Sequence, residues 1–248
     1  MTEIKFGVFL RVVWLLTIFL LFLNLVYAAT PGGPLTVNVT ANETKAVAAA
    51  YNLTIGGGYI ATLNLTVTAQ DVKWKGIVGW ITGKFTLDDS SGSTLFDWTL
   101  ATVTGNVYMT RNSSTPTWSQ IKCANTTILE NENLHLNHTG AKDNISITFV
   151  NRTHLAFSVA GNSIPSNSCP TLRTYVNNVS HVDNNFTEIA LFDGVNDASN
   201  GNVVYATKVE PRLVGFDGNS YDFQAIVPEN GLSTWAGRTS YYLYVEIQ

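Results

Sequence analysis

The 248 residues carry 14 basic and 18 acidic side chains, a net charge of −4, and only 13% are charged against 45% hydrophobic. The low charge, the acidic balance and the lack of any basic patch exclude a nucleic-acid-binding face. A chain of this length buries a substantial core as one β domain.

Lys5 and Arg11 flank a weakly charged start, and Val12 to Val26 is an apolar run interrupted only by Thr17 and Asn24. Val26-Tyr27-Ala28 then forms an A-x-A-like cleavage site, so residues 1–28 read as a secretory signal peptide. Counted from Val8 the run reaches the length of a membrane span, so an uncleaved N-terminal anchor is the alternative. A pilin-type leader with a retained helix is a third reading, against which Arg11 inside the apolar stretch counts. Removing these 28 residues leaves 220 and, with Lys5, Arg11 and Glu3 gone, 12 basic and 17 acidic side chains, a net of −5. Residues 29–34, ending in Pro-Gly-Gly-Pro, are a flexible linker, and 35–248 are the expected domain.

From Leu35 to Leu100 short alternating runs are separated by Gly, Asp, Ser and Asn turns, the mark of β structure. "LTVNVT", "YNLTI", "LNLTVT" and, further on, "NISITFV" each set an Asn two residues before a Ser or Thr. As strands they would turn both residues to one side and Val37, Val39, Leu53, Ile55, Leu63, Leu65, Ile145 and Ile147 to the other. "AVAAAY" (46–51) is the one short helix-friendly piece here.

"WKGIVGWITGKFTLDD" (74–89) has Gly at 76, 79 and 83, a spacing that argues against a helix, where each glycine costs roughly 0.5–1 kcal/mol relative to Ala. As a strand it sets Val72, Trp74, Val78 and Trp80 on one face and Ile77, Ile81, Phe85 and Leu87 on the other. Both faces are apolar, which predicts burial inside a sandwich. A Trp pair could also stack sugar rings, but no acid or amide stands beside it in register. Phe85 to Asp88, a turn at Asp89-Ser90-Ser91-Gly92 and Thr94 to Trp98 make a hairpin.

Residues 111–183 turn rich in Asn, Ser and Thr, with a helical turn or two predicted over Ile128–Leu136. Cys123 and Cys169 both lie here, and in an exported chain an even pair reads as a disulfide. Closing that loop would restrict the unfolded chain by roughly 4 kcal/mol in the entropy model. Two free buried thiols are the alternative. The segment reads as a long excursion pinned by the bridge between two β halves. β structure resumes at Phe186 with the hairpin "TEIALFDGVNDASNGNVVYAT", whose turn signals are Asp193-Gly194 and Asn200-Gly201. An alternating strand, Tyr241–Ile247, closes the chain.

The asparagines are the most informative residues. After residue 28 there are 23 Asn, and Ser and Thr fill 44 of 220 positions, so chance predicts four to five N-x-[ST] triplets. The chain has eleven, at Asn38, Asn42, Asn52, Asn64, Asn112, Asn125, Asn137, Asn144, Asn151, Asn178 and Asn185. At more than twice the chance number, a common motif becomes a signal for N-glycosylation and hence for an exported, outward-facing protein. Filling of polar strand positions by Asn and Thr is the plain alternative.

No hydrolase elbow, zincin, P-loop or dinucleotide motif occurs. Of the histidines His135, His138, His154 and His181 only the first two are close, and H-x-x-H without a nearby Cys or acid triad is a poor zinc site. Asp217, Asn219 and Asp222, and again Asp88 and Asp89, suit either a calcium ion or Asx turns. A glycosidase needs two facing carboxylates, and the linear order selects no pair. No catalytic residue, metal or cofactor is therefore expected. Trp118 and Trp235, in loop-like contexts, are the candidates for carbohydrate stacking.

"GWITGKFTLDDSSGSTLFDW" (79–98) and "FDGNSYDFQAIVPENG" (216–231), with the aromatic end "YYLYVEI", resemble a group of uncharacterised archaeal secreted, N-glycosylated surface proteins. The resemblance covers about a third of the chain and implies location and architecture only. The fold expected is all-β, an antiparallel β-sandwich with a disulfide-pinned, Asn-rich excursion at about 111–183, preceded by a signal or anchor helix. The function expected is that of a non-enzymatic, glycosylated cell-surface component of an envelope, sheath or filament. A carbohydrate-binding or adhesion module is the alternative, and a secreted hydrolase the third reading. Expected partners are copies of the chain, through addition of the "LTVNVT" strand, or other envelope proteins and glycans. Nucleic acid is not among them, and a membrane enters only through an uncleaved N-terminal segment.

Overall fold

The computed structural model describes residues 30–180, 184–195, 202–232 and 238–248. The expected signal or anchor segment, His181, Trp235 and the Asn200-Gly201 turn lie outside them. Among the described residues no helix is long and apolar enough to cross a membrane.

In chain order the strands are β1 (Trp74–Gly79), β2 (Lys84–Asp88), β3 (Thr94–Thr99), β4 (Gly105–Thr110), β5 (Lys122–Cys123), β6 (Phe157–Val159) and β7 (Asn162–Ile164). There follow β8 (Thr171–Arg173), β9 (Thr187–Phe192), β10 (Val203–Lys208), β11 (Leu213–Val214), β12 (Ser220–Tyr221), β13 (Phe223–Pro228) and β14 (Tyr242–Ile247). Among the described residues two helices, α1 (Thr126–His135) and α2 (Ile145–Thr148), interrupt them.

The fold is mostly β and antiparallel. Its centre is a six-stranded sheet in the order β14-β4-β10-β9-β5, with β8 also paired to β9. Tyr205 stands opposite Met109 and Ala190, and Ala206 opposite Tyr108 and Ile189. Alternation therefore sends Met109, Ala190, Phe192 and Tyr205 to one face and Tyr108, Ile189, Leu191 and Ala206 to the other. Both faces are buried. That is why "EIALF" and "VVYA" are apolar at every position except Glu188.

On the first face lie α1, α2 and the β1–β13 pair, through Ile128, Leu129, Ile145, Phe149, Ala225 and Val227. On the second lie the 3-10 turn Trp118–Gln120 and the β6–β7 hairpin, through Trp118, Ile121, Val159 and Ile164. Residues 111–180 thus supply much of the cover on both sides. Gly105 permits one close approach: at φ 134° a Cβ there would stand 1.9 Å from the Glu246 carbonyl oxygen.

Several local expectations match the structure. β2 and β3 form the expected hairpin with Phe85 opposite Trp98, closed by Asp89 accepting from the Ser91 and Ser93 amides at 2.9 and 2.8 Å. β9 and β10 form the second, β14 is the closing strand, and α1 covers the predicted helical turns.

Others are corrected. "LTVNVT", "YNLTI" and "LNLTVT" form no strand, and their alternating aliphatics are exposed. The chain pairs with the β14 edge at Gly32, which exchanges two hydrogen bonds with Val245 at 3.1 and 2.8 Å. The next bonded position of that antiparallel pair falls on Pro34, which has no N–H to give. "AVAAAY" is not helical.

"NISITFV" is not a strand either. Asn144 caps α2 by accepting the Ile147 amide at 2.8 Å, and local capping overrides the alternation. The Trp-rich stretch 74–89 forms two strands, β1 and β2, and is not a two-sided core element. Trp74 and Ile77 pack on the core, whereas Val72, Val78, Phe85 and Leu87 are exposed and Trp80 is 49% exposed. The narrow β1–β13 pair has its outer side in solvent.

Candidate functional site

The eleven sequon asparagines are spread over the molecule, and none is buried. Asn38, Asn42, Asn52 and Asn64 lie on the exposed stretch that precedes β1. Asn125 caps α1 by accepting the Ile128 amide at 2.9 Å, as Asn144 caps α2. Asn112 accepts the Ser114 amide at 3.0 Å in an Asx turn. These bonds use Oδ1, whereas a glycan bonds Nδ2, so capping and glycosylation are chemically compatible. Asn137 and Asn178 take the left-handed backbone at φ 58° and 61°, which Asn tolerates. Asn151 is held by a bridge to Thr171, and Asn185 is half-buried.

Cys123 and Cys169 are joined, their Cα atoms 4.8 Å apart, within the normal range for a disulfide. The bridge links β5 to the segment leading into β8, and both strands pair with β9 along the edge opposite β10. His154, buried beside it, accepts the Ser168 and Cys169 amides on Nε2 at 3.1 and 3.0 Å. Its Nδ1–H therefore donates to the Leu155 carbonyl at 2.8 Å, which fixes the ring as a brace for the disulfide loop.

The remaining sequence candidates do not converge. His135 is exposed and bonds the Asn131 carbonyl at 2.7 Å, while His138 is buried, bonds the Glu229 carbonyl at 2.6 Å and meets Trp74 edge-on. Asp217 accepts from the Asn219 amide, the Asn219 side chain and the Tyr221 hydroxyl. Asp222 accepts from the Ile81 and Arg212 amides, both at 2.8 Å, and so pins two other segments. Among the described residues no group of three or more His, Cys, Asp or Glu could hold a metal ion. Trp118 is not a stacking surface: it is 5% exposed and sits between Tyr108 and Tyr244 at 5.1 and 5.2 Å.

The buried charges escaped the linear reading. Arg111, just past β4, donates Nε and Nη2 to the two Glu132 oxygens of α1 at 2.7 and 2.6 Å. Glu188 is wholly buried on β9, and its Oε2 accepts the Ile226 amide at 2.8 Å. Burial pushes its carboxyl well above the usual range, against the smaller opposing effect of that bond. Tyr108 donates to Glu246 at 2.6 Å, and Glu246 also accepts the Ala160 amide, which clips the β6–β7 hairpin to the sheet. A polar residue inside an apolar strand is the only signal sequence offered for Glu188. A cavity of about 330 Å³ opens near it, between Thr148, Asn151, Leu172, Arg173, Tyr175 and Ile226. Comparison with protein-family models, curated proteins and solved structures gives no match to this chain.

Proposed function

We propose that this protein is a non-enzymatic, exported and N-glycosylated cell-surface component of an envelope, sheath or filament. In this reading residues 1–28 serve as export signal or anchor, and the antiparallel sheets pack as a sandwich. The observation that carries it is the excess of sequons together with the fact that none of the eleven acceptors is buried. A disulfide between Cys123 and Cys169 fits an oxidising compartment outside the cytosol. Mass spectrometry of the native protein tests it: glycans are expected on exposed sites such as Asn52, Asn64 and Asn125. Bare peptides at all eleven would remove the reading.

The exposed aliphatics of residues 35–67 support self-assembly by strand addition. Deleting residues 29–40 should then turn an assembling protein into a soluble monomer. An intact protein that stays monomeric would argue against assembly. A second reading, carbohydrate binding or adhesion, is favoured by one observation: Phe85, Leu87, Phe96 and Trp98 form an uncovered apolar face on the β2–β3 hairpin. Glycan-array binding lost in Trp98→Ala would promote it.

A further inference from the structure

Asn151 is the first residue of the sequon Asn151-Arg152-Thr153 and also part of the wall of the 330 Å³ cavity. Ligand-binding pockets begin at about 300 Å³, so one saccharide unit can enter. The walls are fixed in advance. The Thr171 amide donates to the Asn151 carbonyl at 2.8 Å. Gln224, itself buried, donates Nε2 to the Thr174 hydroxyl and the Tyr175 carbonyl, both at 3.0 Å.

The lining has the chemistry a sugar ring meets well. Leu172, Ile226 and the Tyr175 ring, 52% exposed at the rim, offer apolar surface to C–H groups. The Thr148 hydroxyl, which donates to the Asn144 carbonyl at 2.8 Å, keeps its oxygen as an acceptor for a sugar hydroxyl.

We propose that this groove seats the first saccharide of an N-linked glycan on Asn151, held in cis against the Tyr175 ring. The proposal rests on the reading of the chain as an N-glycosylated protein. Attachment replaces one Nδ2–H by a bond to the anomeric carbon of an activated glycosyl donor. The donor's phosphate leaving group departs with the bonding pair, and the proton passes to a base of the external transferase. Once attached, the sugar is tethered at high effective concentration, so a shallow groove suffices to hold it. The glycan then acts as a covalently supplied piece of core that locks β8 to the segment after α2.

The test uses the glycosylated protein and three variants. Thr153→Ala destroys this sequon and keeps Asn151, Thr153→Ser keeps the sequon, and Thr139→Ala destroys the exposed sequon at Asn137. Thr153→Ala should raise amide exchange over residues 148–153 and 171–175 about tenfold and lower the melting temperature. Thr153→Ser and Thr139→Ala should leave both unchanged. Tyr175→Ala should reproduce the exchange increase in the glycosylated chain and add nothing in the Thr153→Ala background. A glycan at Asn151 whose loss leaves exchange unchanged overturns the proposal. A bare Asn151 beside other occupied sequons also overturns it, while the surface-glycoprotein reading stands. Glycan at none of the eleven removes that reading and the proposal together.

Discussion

The Glu188 carboxyl and the Ile226 amide are joined by one 2.8 Å hydrogen bond inside the core, and it ties the central sheet to the β1–β13 pair. β9 presents this side chain on the face it shares with Ala190 and Phe192, both buried. A carboxylate there would be a buried charge with no cation bonded to it, so the neutral acid is the favoured form.

This makes stability depend on pH in a defined direction. The raised folded pKa means that the folded chain holds the proton over a range where the unfolded chain, titrating near ~4.3, has lost it. The stabilisation is complete below ~4.3 and is lost as pH rises toward the folded value, by at most about 1.4 kcal/mol per pH unit. Glu188→Gln should abolish that slope. Urea denaturation at pH 4 and pH 8 should show the variant near wild type at the first and more stable at the second. Equal stability at pH 8 would mean that the buried acid costs nothing there.

Arg111 and Glu132 form a forked ion pair between the end of β4 and α1, and Glu132 is almost wholly buried. Removing one member leaves the other buried and unpaired, a loss of about 3–5 kcal/mol. Arg111→Met should fall in that range by chemical denaturation, and Arg111→Met/Glu132→Leu should recover most of it. A single variant as stable as wild type would show that the pair is solvated in solution.

Two tryptophans should behave in opposite ways. Trp118→Ala empties a site walled by Tyr108 and Tyr244 and should cost about 3–5 kcal/mol. Trp80 is half exposed, packs on Tyr221 and donates Nε1 to the Ser220 carbonyl at 2.7 Å. Its loss should cost little beyond one hydrogen bond, about 0.5–1.5 kcal/mol. Melting curves that rank the two in the reverse order would place the core elsewhere.

Breaking the disulfide should loosen β5 and β8 before the rest of the sheet. Both are short strands on β9, and the bridge joins their segments across a separation of 46 residues. Cys123→Ser/Cys169→Ser should lose about 2–5 kcal/mol. Hydrogen exchange should rise first over residues 121–124 and 168–173. A uniform rise across the sheet would show that the bridge acts only on the unfolded chain.

The sequence by itself determined what short-range chemistry controls. Asp89 and its serines set the β2–β3 turn, apolar runs on either side of a turn gave β9 and β10, and the helical pattern around Ile128 gave α1. The paired cysteines and the eleven sequons are legible because each depends on residue identity and count. The tertiary structure decided whatever needs a distant partner. Alternation in residues 35–67 gives a face but no edge to pair with, and Pro34 ends the contact that Gly32 begins on β14. Asn144 stands in a β-like pattern yet caps a helix, because its side chain accepts the Ile147 amide three residues on. Trp80 and Trp118 exchange their expected surroundings, since burial is set by what packs above a ring and not by its neighbours in the chain. Glu188, Arg111 and the groove beside Asn151 exist only where β8, β9, β13 and the helices meet, and no local pattern encodes that meeting.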